Sequence, residues 1–126
     1  MLPTVLLVGA GGFVGSVFRY LLGSWVHSLI GDSSFPFGTL VINVLGCLII
    51  GILAGISDFR QVFTSEVRAF LLIGLLGGFT TFSAFSYETI TLLRDGEMVA
   101  GLANVMAQVA AGLAAVWIGY RISQLA

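Results

Sequence analysis

Charge is the property that this sequence has least of. It contains no lysine among its 126 residues, and charged residues make up 9% of the chain, against roughly 25% in soluble domains. Hydrophobic residues make up 58%, and the mean hydropathy is +1.09. A water-soluble chain of this size could not bury so much apolar surface, so its solvent must be lipid. The formal net charge of −1 offers no basic field and excludes nucleic acid as a partner.

Reactive side chains are equally scarce. The single cysteine, Cys47, excludes an internal disulfide and a cysteine metal cluster, and we interpret it as a small buried residue. The single histidine, His27, has no second ligand candidate. The chain has no buried acid–base pair, so we do not expect an enzyme. A cleavable signal is not predicted, because the first apolar stretch is of full spanning length and lacks a basic leader.

Four apolar segments, each near the twenty residues that a membrane crossing needs, divide the chain. We predict an all-α membrane protein with one channel domain over residues 1–126. The predicted spans are approximately residues 2–22, 37–56, 68–93 and 99–122.

The arginines give little guidance on orientation. Four spans place both termini on one side of the membrane, with three arginines on that side and two on the other. This is almost no bias for the positive-inside rule, so the chain can insert in both orientations. The three are Arg60, Arg68 and Arg121, and the two are Arg19 and Arg94.

The first segment has a glycine-rich stretch, Gly9 to Gly15, that looks like a nucleotide-binding turn. That interpretation needs a second strand ending in a ribose-binding residue about twenty residues later. Asp32 lies near that distance, but in a Gly/Ser/Pro stretch with no strand before it. Nucleotide binding therefore stays a remote alternative. The better interpretation is that Gly11 and Gly15 form a ridge of small residues that lets helices approach closely in lipid.

The third segment carries residues that a simple membrane anchor does not need. Gly77 and Gly78 are followed by two threonines and two serines near its centre. We predict that this helix is broken at Gly77–Thr80, close to the bilayer midplane, where transport sites tend to lie. Carbonyl oxygens freed from the helix at such a break are cation ligands, and two facing breaks could hold a structural cation.

Aromatic rings follow this predicted break. Phe79, Phe82 and Phe85 are spaced three apart, and we take Phe79 as a core or lipid-facing residue. The positive edges of Phe82 and Phe85 can receive an anion without a fixed countercharge that would trap it.

Polar side chains on other segments have two interpretations each. Asn43 is either an interhelical hydrogen-bonding residue or an ion contact, and Thr39 lies on the same helix side, four residues away. Asn104 and Gln108 either join helices or line a polar path. Arg19 either extends to the interface or raises the potential at a pore mouth, or both.

Glu88 is the only acidic residue predicted inside a span, and it lies about two turns beyond the midplane. Proton-coupled antiport usually needs an ionisable residue at the site itself. Small multidrug antiporters fit a four-helix chain of this length, but they have a carboxylate in the first span, where this chain has only Arg19. A small dual-topology multidrug or cation antiporter therefore stays the alternative.

Three blocks of the sequence resemble the Fluc (CrcB) family of fluoride channels, and the likeness extends over essentially the whole chain. They are Gly11-Gly-Phe-Val-Gly-Ser-Val-Phe-Arg19-Tyr, Gly38-Thr-Leu-Val-Ile-Asn43-Val-Leu-Gly46 and Gly77-Gly-Phe-Thr-Thr-Phe-Ser-Ala-Phe-Ser-Tyr-Glu88. The third block is the most specific.

The resemblance implies an antiparallel, dual-topology homodimer with two fluoride pores in the inner (plasma) membrane of a bacterial cell. It implies that Phe82 and Phe85 contact fluoride, with Asn43 nearby. It also implies that backbone carbonyls of Gly77 and Thr80 from both subunits hold a central sodium ion. The implied role is passive export of fluoride that enters as the neutral acid. The predicted fluoride pathway consists of Phe82, Phe85, Asn43, Thr39, Ser83, Arg19, Asn104 and Gln108.

Two features depart from the family pattern. Ala84 stands where the family usually has a threonine, so no hydroxyl is expected there. Asn104 and Gln108 stand where relatives often have tyrosine or serine hydroxyls.

Overall fold

The computed structural model describes residues 1–126, and every regular element in it is helical. Four helical segments are long and apolar enough to cross a membrane, which confirms the prediction of an all-α membrane protein. Only 21 of the 126 residues are buried, so most apolar side chains face outward, as expected of a chain solvated by lipid. The elements are α1 (Leu2–Ile30), α2 (Phe37–Arg60), α3 (Ser65–Arg68), a π-helix (Ala69–Leu75), α4 (Leu76–Phe79), α5 (Phe82–Arg94) and α6 (Met98–Leu125).

The first helix extends well beyond the predicted first span. It ends at Ile30, where Gly31 takes a positive φ of 78° and donates its N–H to the carbonyl of His27 over 2.8 Å. A positive φ is easily adopted by glycine, which explains why the helix stops here. Hydropathy marks where the apolar stretch ends, whereas the backbone hydrogen bonds of α1 continue for two more turns.

Glycines bring α2 and α6 into close contact. A Cβ added to Gly51 would overlap the carbonyl oxygen of Val116, and one added to Gly55 would overlap the side chain of Ser123. On the other helix, a Cβ on Gly119 would overlap the carbonyl oxygen of Leu48. Gly51 and Gly55, spaced four apart, therefore form a packing face of α2 against α6.

The predicted glycine ridge of α1 is also confirmed. A Cβ on Gly11 would overlap the carbonyl oxygen of Phe70, and one on Gly15 would overlap that of Leu75. From the opposite side, Gly74 and Gly78 leave equally little space for a side chain against α1. The backbone of α1 therefore lies directly against the π-helix and α4.

Two extended residues separate α4 from α5. Thr80 has φ −83° and ψ 160°, and Thr81 has φ −151° and ψ 116°. Gly77 and Gly78, which were predicted to begin the break, lie inside α4, so the irregular backbone starts three residues later than the first of them. Hydrogen bonds explain the shift: Thr80 still donates its N–H to the carbonyl of Leu76, whereas the N–H of Thr81 leaves the helix for Asn43.

Candidate functional site

A cavity of about 380 Å³ lies beside the extended residues, between α2, α4, α5 and α6. Four predicted pathway residues line it, and none of its lining residues is charged. Gly77 and Thr80, the predicted sodium ligands, line the same cavity. The four pathway residues are Asn43, Phe82, Phe85 and Gln108.

The two phenylalanines form a tilted pair at the start of α5. Their ring centroids are 5.4 Å apart and their planes meet at 59°. Phe82 is 79% exposed, whereas Phe79 is only 6% exposed and belongs to the core. Because the rings of Phe82 and Phe85 are neither parallel nor buried together, their edges can be presented to the cavity.

Asn43 holds the backbone of Thr81 through both groups of its carboxamide. Its Nδ2 donates to the Thr81 carbonyl oxygen over 3.0 Å, and its Oδ1 accepts from the Thr81 N–H over 2.9 Å. The same Nδ2 also donates to Oε1 of Gln108 over 3.1 Å. Both hydrogens of the Asn43 amide are thus already used. The predicted interhelical hydrogen bond is present, and an anion would have to compete for it.

The polar chain continues from Gln108 into the protein interior. Its Nε2 lies 3.5 Å from Oδ1 of Asn104, and Nδ2 of Asn104 donates to Oγ1 of Thr89 over 2.9 Å. Asn104 is fully buried and does not line the cavity just described. Gln108 is therefore the polar side chain of α6 that lines this cavity.

The remaining pathway residues line a second cavity of about 510 Å³, which Thr81 also borders. In it, Nη1 of Arg19 donates to the carbonyl oxygen of Thr80 over 3.3 Å, and the hydroxyl of Ser83 lies 3.3 Å from that of Thr81. The guanidinium of Arg19 therefore reaches the extended segment itself. The pathway residues that line this cavity are Arg19, Thr39 and Ser83.

Glu88 joins the site although it was not among the predicted pathway residues. The hydroxyl of Thr39 donates to its Oε1 over 2.8 Å, while its buried Oε2 has no hydrogen-bond partner. Glu88 also lines a third cavity, of about 270 Å³, together with His27 and Thr39. Its position as the only acidic residue inside a span was the signal in the sequence that pointed to it.

The carbonyl groups of Gly77 and Thr80 suit a cation by ligand type. The N–H groups that would close the helix onto them belong to Thr81 and Ala84, and these donate instead to Asn43 and to the Thr81 hydroxyl. Both carbonyls are therefore outside the helical hydrogen-bond pattern, and carbonyl oxygen is a ligand that hard cations accept. The Thr80 oxygen is shared with the guanidinium of Arg19.

Together, the four spanning-length helices and the polar and aromatic residues around an extended segment define a small membrane transport protein. Residues 6–120 match the family model described as "CrcB-like protein, Camphor Resistance (CrcB)". The chain belongs to the CrcB family, which confirms the resemblance seen in its three sequence blocks.

Individual relatives match nearly end to end. The chain is 48% identical to a "Fluoride-specific ion channel FluC" of Rhizobium meliloti (strain 1021), over 91% of both chains. It is 44% identical to one of Geobacter metallireducens, over 92% of this chain and 93% of the relative. It is 43% identical to "Fluoride-specific ion channel FluC 1" of Methanosarcina acetivorans, over 97% of this chain and 91% of the relative.

Proposed function

We propose that this protein is a fluoride-selective channel through which fluoride crosses the membrane passively, without an enzymatic step. The observation that carries the proposal is the uncharged cavity in which Phe82 and Phe85 meet the amides of Asn43 and Gln108. Ring edges and amide hydrogens attract an anion, and because no charged side chain lines that cavity, the attraction stays weak enough for release. The names of the relatives support fluoride as the anion.

The physiological role follows from the chemistry of fluoride. Hydrogen fluoride crosses a bilayer as the neutral acid and ionises in the cytoplasm, which leaves the anion trapped inside. A passive pore lets that anion leave down its electrochemical gradient and so reduces its toxicity. We place the protein in the inner (plasma) membrane of a bacterial cell as a multi-pass protein.

The two cavities have separate tasks in this proposal. Arg19, Thr39 and Ser83 line the entrance, where the guanidinium raises the positive potential and attracts anions. Phe82, Phe85 and the carboxamides line the dehydrated part. Asn104 is a pathway residue only through Gln108, because it is fully buried.

We further propose that the working unit is an antiparallel, dual-topology homodimer. Gly77 and Phe82 are exposed where they line the cavity of about 380 Å³, and Asn43 and Gln108, which also line it, are half-buried. In a lone chain these polar groups would face lipid close to the midplane, which is costly. An inverted second copy would cover them, and the balanced arginine distribution allows both insertions.

In such a dimer, the carbonyls of Gly77 and Thr80 from both subunits would meet at the two-fold axis. A sodium ion held there would satisfy carbonyls that the helix has released. The positive charge would also join the two subunits at the midplane.

A liposome efflux assay tests the function. Vesicles loaded with fluoride should release it when valinomycin allows potassium to balance the charge, with equal pH on both sides. Vesicles loaded with chloride should retain their anion. Equal release of both anions would contradict selectivity, and strict dependence on a pH gradient would contradict passive conduction.

A further inference from the structure

Three carboxamides form one continuous chain of hydrogen bonds from the interior to the cavity that Phe82 and Phe85 line. The chain runs from Thr89 on α5 through Asn104 and Gln108 on α6 to Asn43 on α2, and it ends on the backbone of Thr81. A carboxamide can point either its oxygen or its nitrogen along such a chain. The orientation of each carboxamide is therefore fixed only where the chain meets a group that can only donate or only accept a hydrogen bond.

Thr89 fixes the direction at the buried end. Its hydroxyl hydrogen is donated to the carbonyl of Phe85 over 2.7 Å, so the oxygen can only accept from Asn104. Asn104 must therefore present its nitrogen to Thr89, and its oxygen then faces Gln108. Because Asn104 is fully buried, no water can compensate for the opposite orientation.

Thr81 fixes the same direction at the other end. Its backbone N–H can only donate, so Asn43 must present Oδ1 to it and direct Nδ2 towards Gln108. Gln108 is thus required by both neighbours to point Oε1 at Asn43 and Nε2 at Asn104. One hydrogen of its amide is not used in these contacts, and Gln108 lines the cavity beside Phe82 and Phe85.

We propose that Thr89 and Asn104 are positioning residues that orient the Gln108 carboxamide so that an N–H group, and not the carbonyl, is available to the anion. The proposal rests on the proposed fluoride conduction. In this proposal Gln108 contacts the ion, whereas the buried residues Thr89 and Asn104 act only through Gln108.

The matched variants are Thr89→Val and Thr91→Val. Both threonines donate their hydroxyl to their own helix backbone, but only Thr89 also accepts from Asn104. Thr89→Val leaves the Asn104 amide unpaired, so Asn104 turns and Gln108 loses one of its two anchors. Fluoride efflux should fall about three- to tenfold, the range expected when one hydrogen bond of ordinary strength is lost. Thr91→Val, and Thr89→Ser with its retained hydroxyl, should stay within about twofold of the wild type.

A double-mutant cycle separates positioning from a purely structural role. Gln108→Met removes the carboxamide and lowers efflux by itself. If Thr89 acts through Gln108, adding Thr89→Val to Gln108→Met should change efflux by less than about twofold. Rates are divided by the amount of monodisperse protein reconstituted, and Thr89→Ala replaces Thr89→Val in the cycle if the latter does not reconstitute.

Three results would overturn this inference while leaving fluoride conduction intact. They are an equal loss in both backgrounds, a loss with Thr89→Ser as large as with Thr89→Val, or no loss with Thr89→Val. A wild-type protein that releases no fluoride would overturn both this inference and the proposed function.

Discussion

Asn43 pairs with both backbone groups of Thr81, accepting from its N–H over 2.9 Å and donating to its carbonyl over 3.0 Å. The two residues are 38 positions apart in the chain. A side chain on α2 therefore replaces the helix as the hydrogen-bond partner of the extended segment. The same amide that was predicted to contact the ion also maintains the local backbone.

Asn43→Leu should therefore reduce stability as well as conduction. It would leave two backbone groups of Thr81 unpaired, each at a cost of about 1–3 kcal/mol. The melting temperature in detergent should fall clearly, and fluoride efflux per folded protein should also fall. Cys47→Ala, one helical turn along the same side, is the control and should have a smaller effect on both. A wild-type melting temperature for Asn43→Leu would mean that the Thr81 backbone does not depend on this pairing.

The phenylalanines should divide into a conducting pair and a core residue. Phe82→Ile and Phe85→Ile keep apolar bulk but remove the positive ring edge, so fluoride efflux should fall sharply at unchanged stability. Phe79→Ile changes a buried side chain of the core, so it should reduce the free energy of unfolding by about 1–3 kcal/mol and lower the melting temperature. Fluoride efflux per folded protein should change little. Similar effects of all three substitutions on efflux would contradict this division.

Gly15→Ala should disrupt the packing of α1. Its Cβ would overlap the carbonyl oxygen of Leu75, and backbone atoms cannot move aside as a flexible side chain can. Gly9→Ala is a matched control on the same helix, because nothing lies within 4 Å of the added Cβ. Since alanine favours a helix over glycine by about 1 kcal/mol, Gly9→Ala should be neutral or stabilising. Thermal unfolding in detergent compares the two, and equal melting temperatures would contradict the observed helix contact.

Insertion in both orientations should be sensitive to a single added charge. One lysine placed in the loop between α2 and α3, for example as Gln61→Lys, should bias all copies to one orientation and abolish efflux. Co-expression with a variant biased the opposite way, such as Asp95→Lys at an exposed position in the turn before α6, should restore it. Full activity from the singly biased variant would mean that the working unit is parallel or monomeric, and the central sodium site would be abandoned with it.

Local patterns were enough to predict the four spanning segments and the packing face of α1. Apolar length predicted four spanning segments, and the spacing of Gly11 and Gly15 predicted the contact that α1 makes. Each of these signals lies within one segment. The π-helix over Ala69–Leu75 had no such signal and was not predicted.

Features that depend on distant partners were predicted less well. The glycine pair suggested a break beginning at Gly77, but glycine only permits irregular backbone and does not require it. The structure keeps Gly77 helical and extends Thr80 and Thr81, because the partner that receives the Thr81 N–H is on another helix. Asn104 and Gln108 are four residues apart and so share one side of α6, but this spacing does not indicate that one is buried and the other lines a cavity.

The most direct test of the central claim is the reversal potential of the purified protein in a planar bilayer or in patched liposomes. Both sides have the same pH. One side contains fluoride, and on the other side most of the fluoride is replaced by chloride. A fluoride-selective channel predicts a reversal potential at the fluoride equilibrium potential, unchanged when the pH of both sides is shifted together. A reversal potential near zero, or one that follows an imposed proton gradient, would contradict passive and selective fluoride conduction.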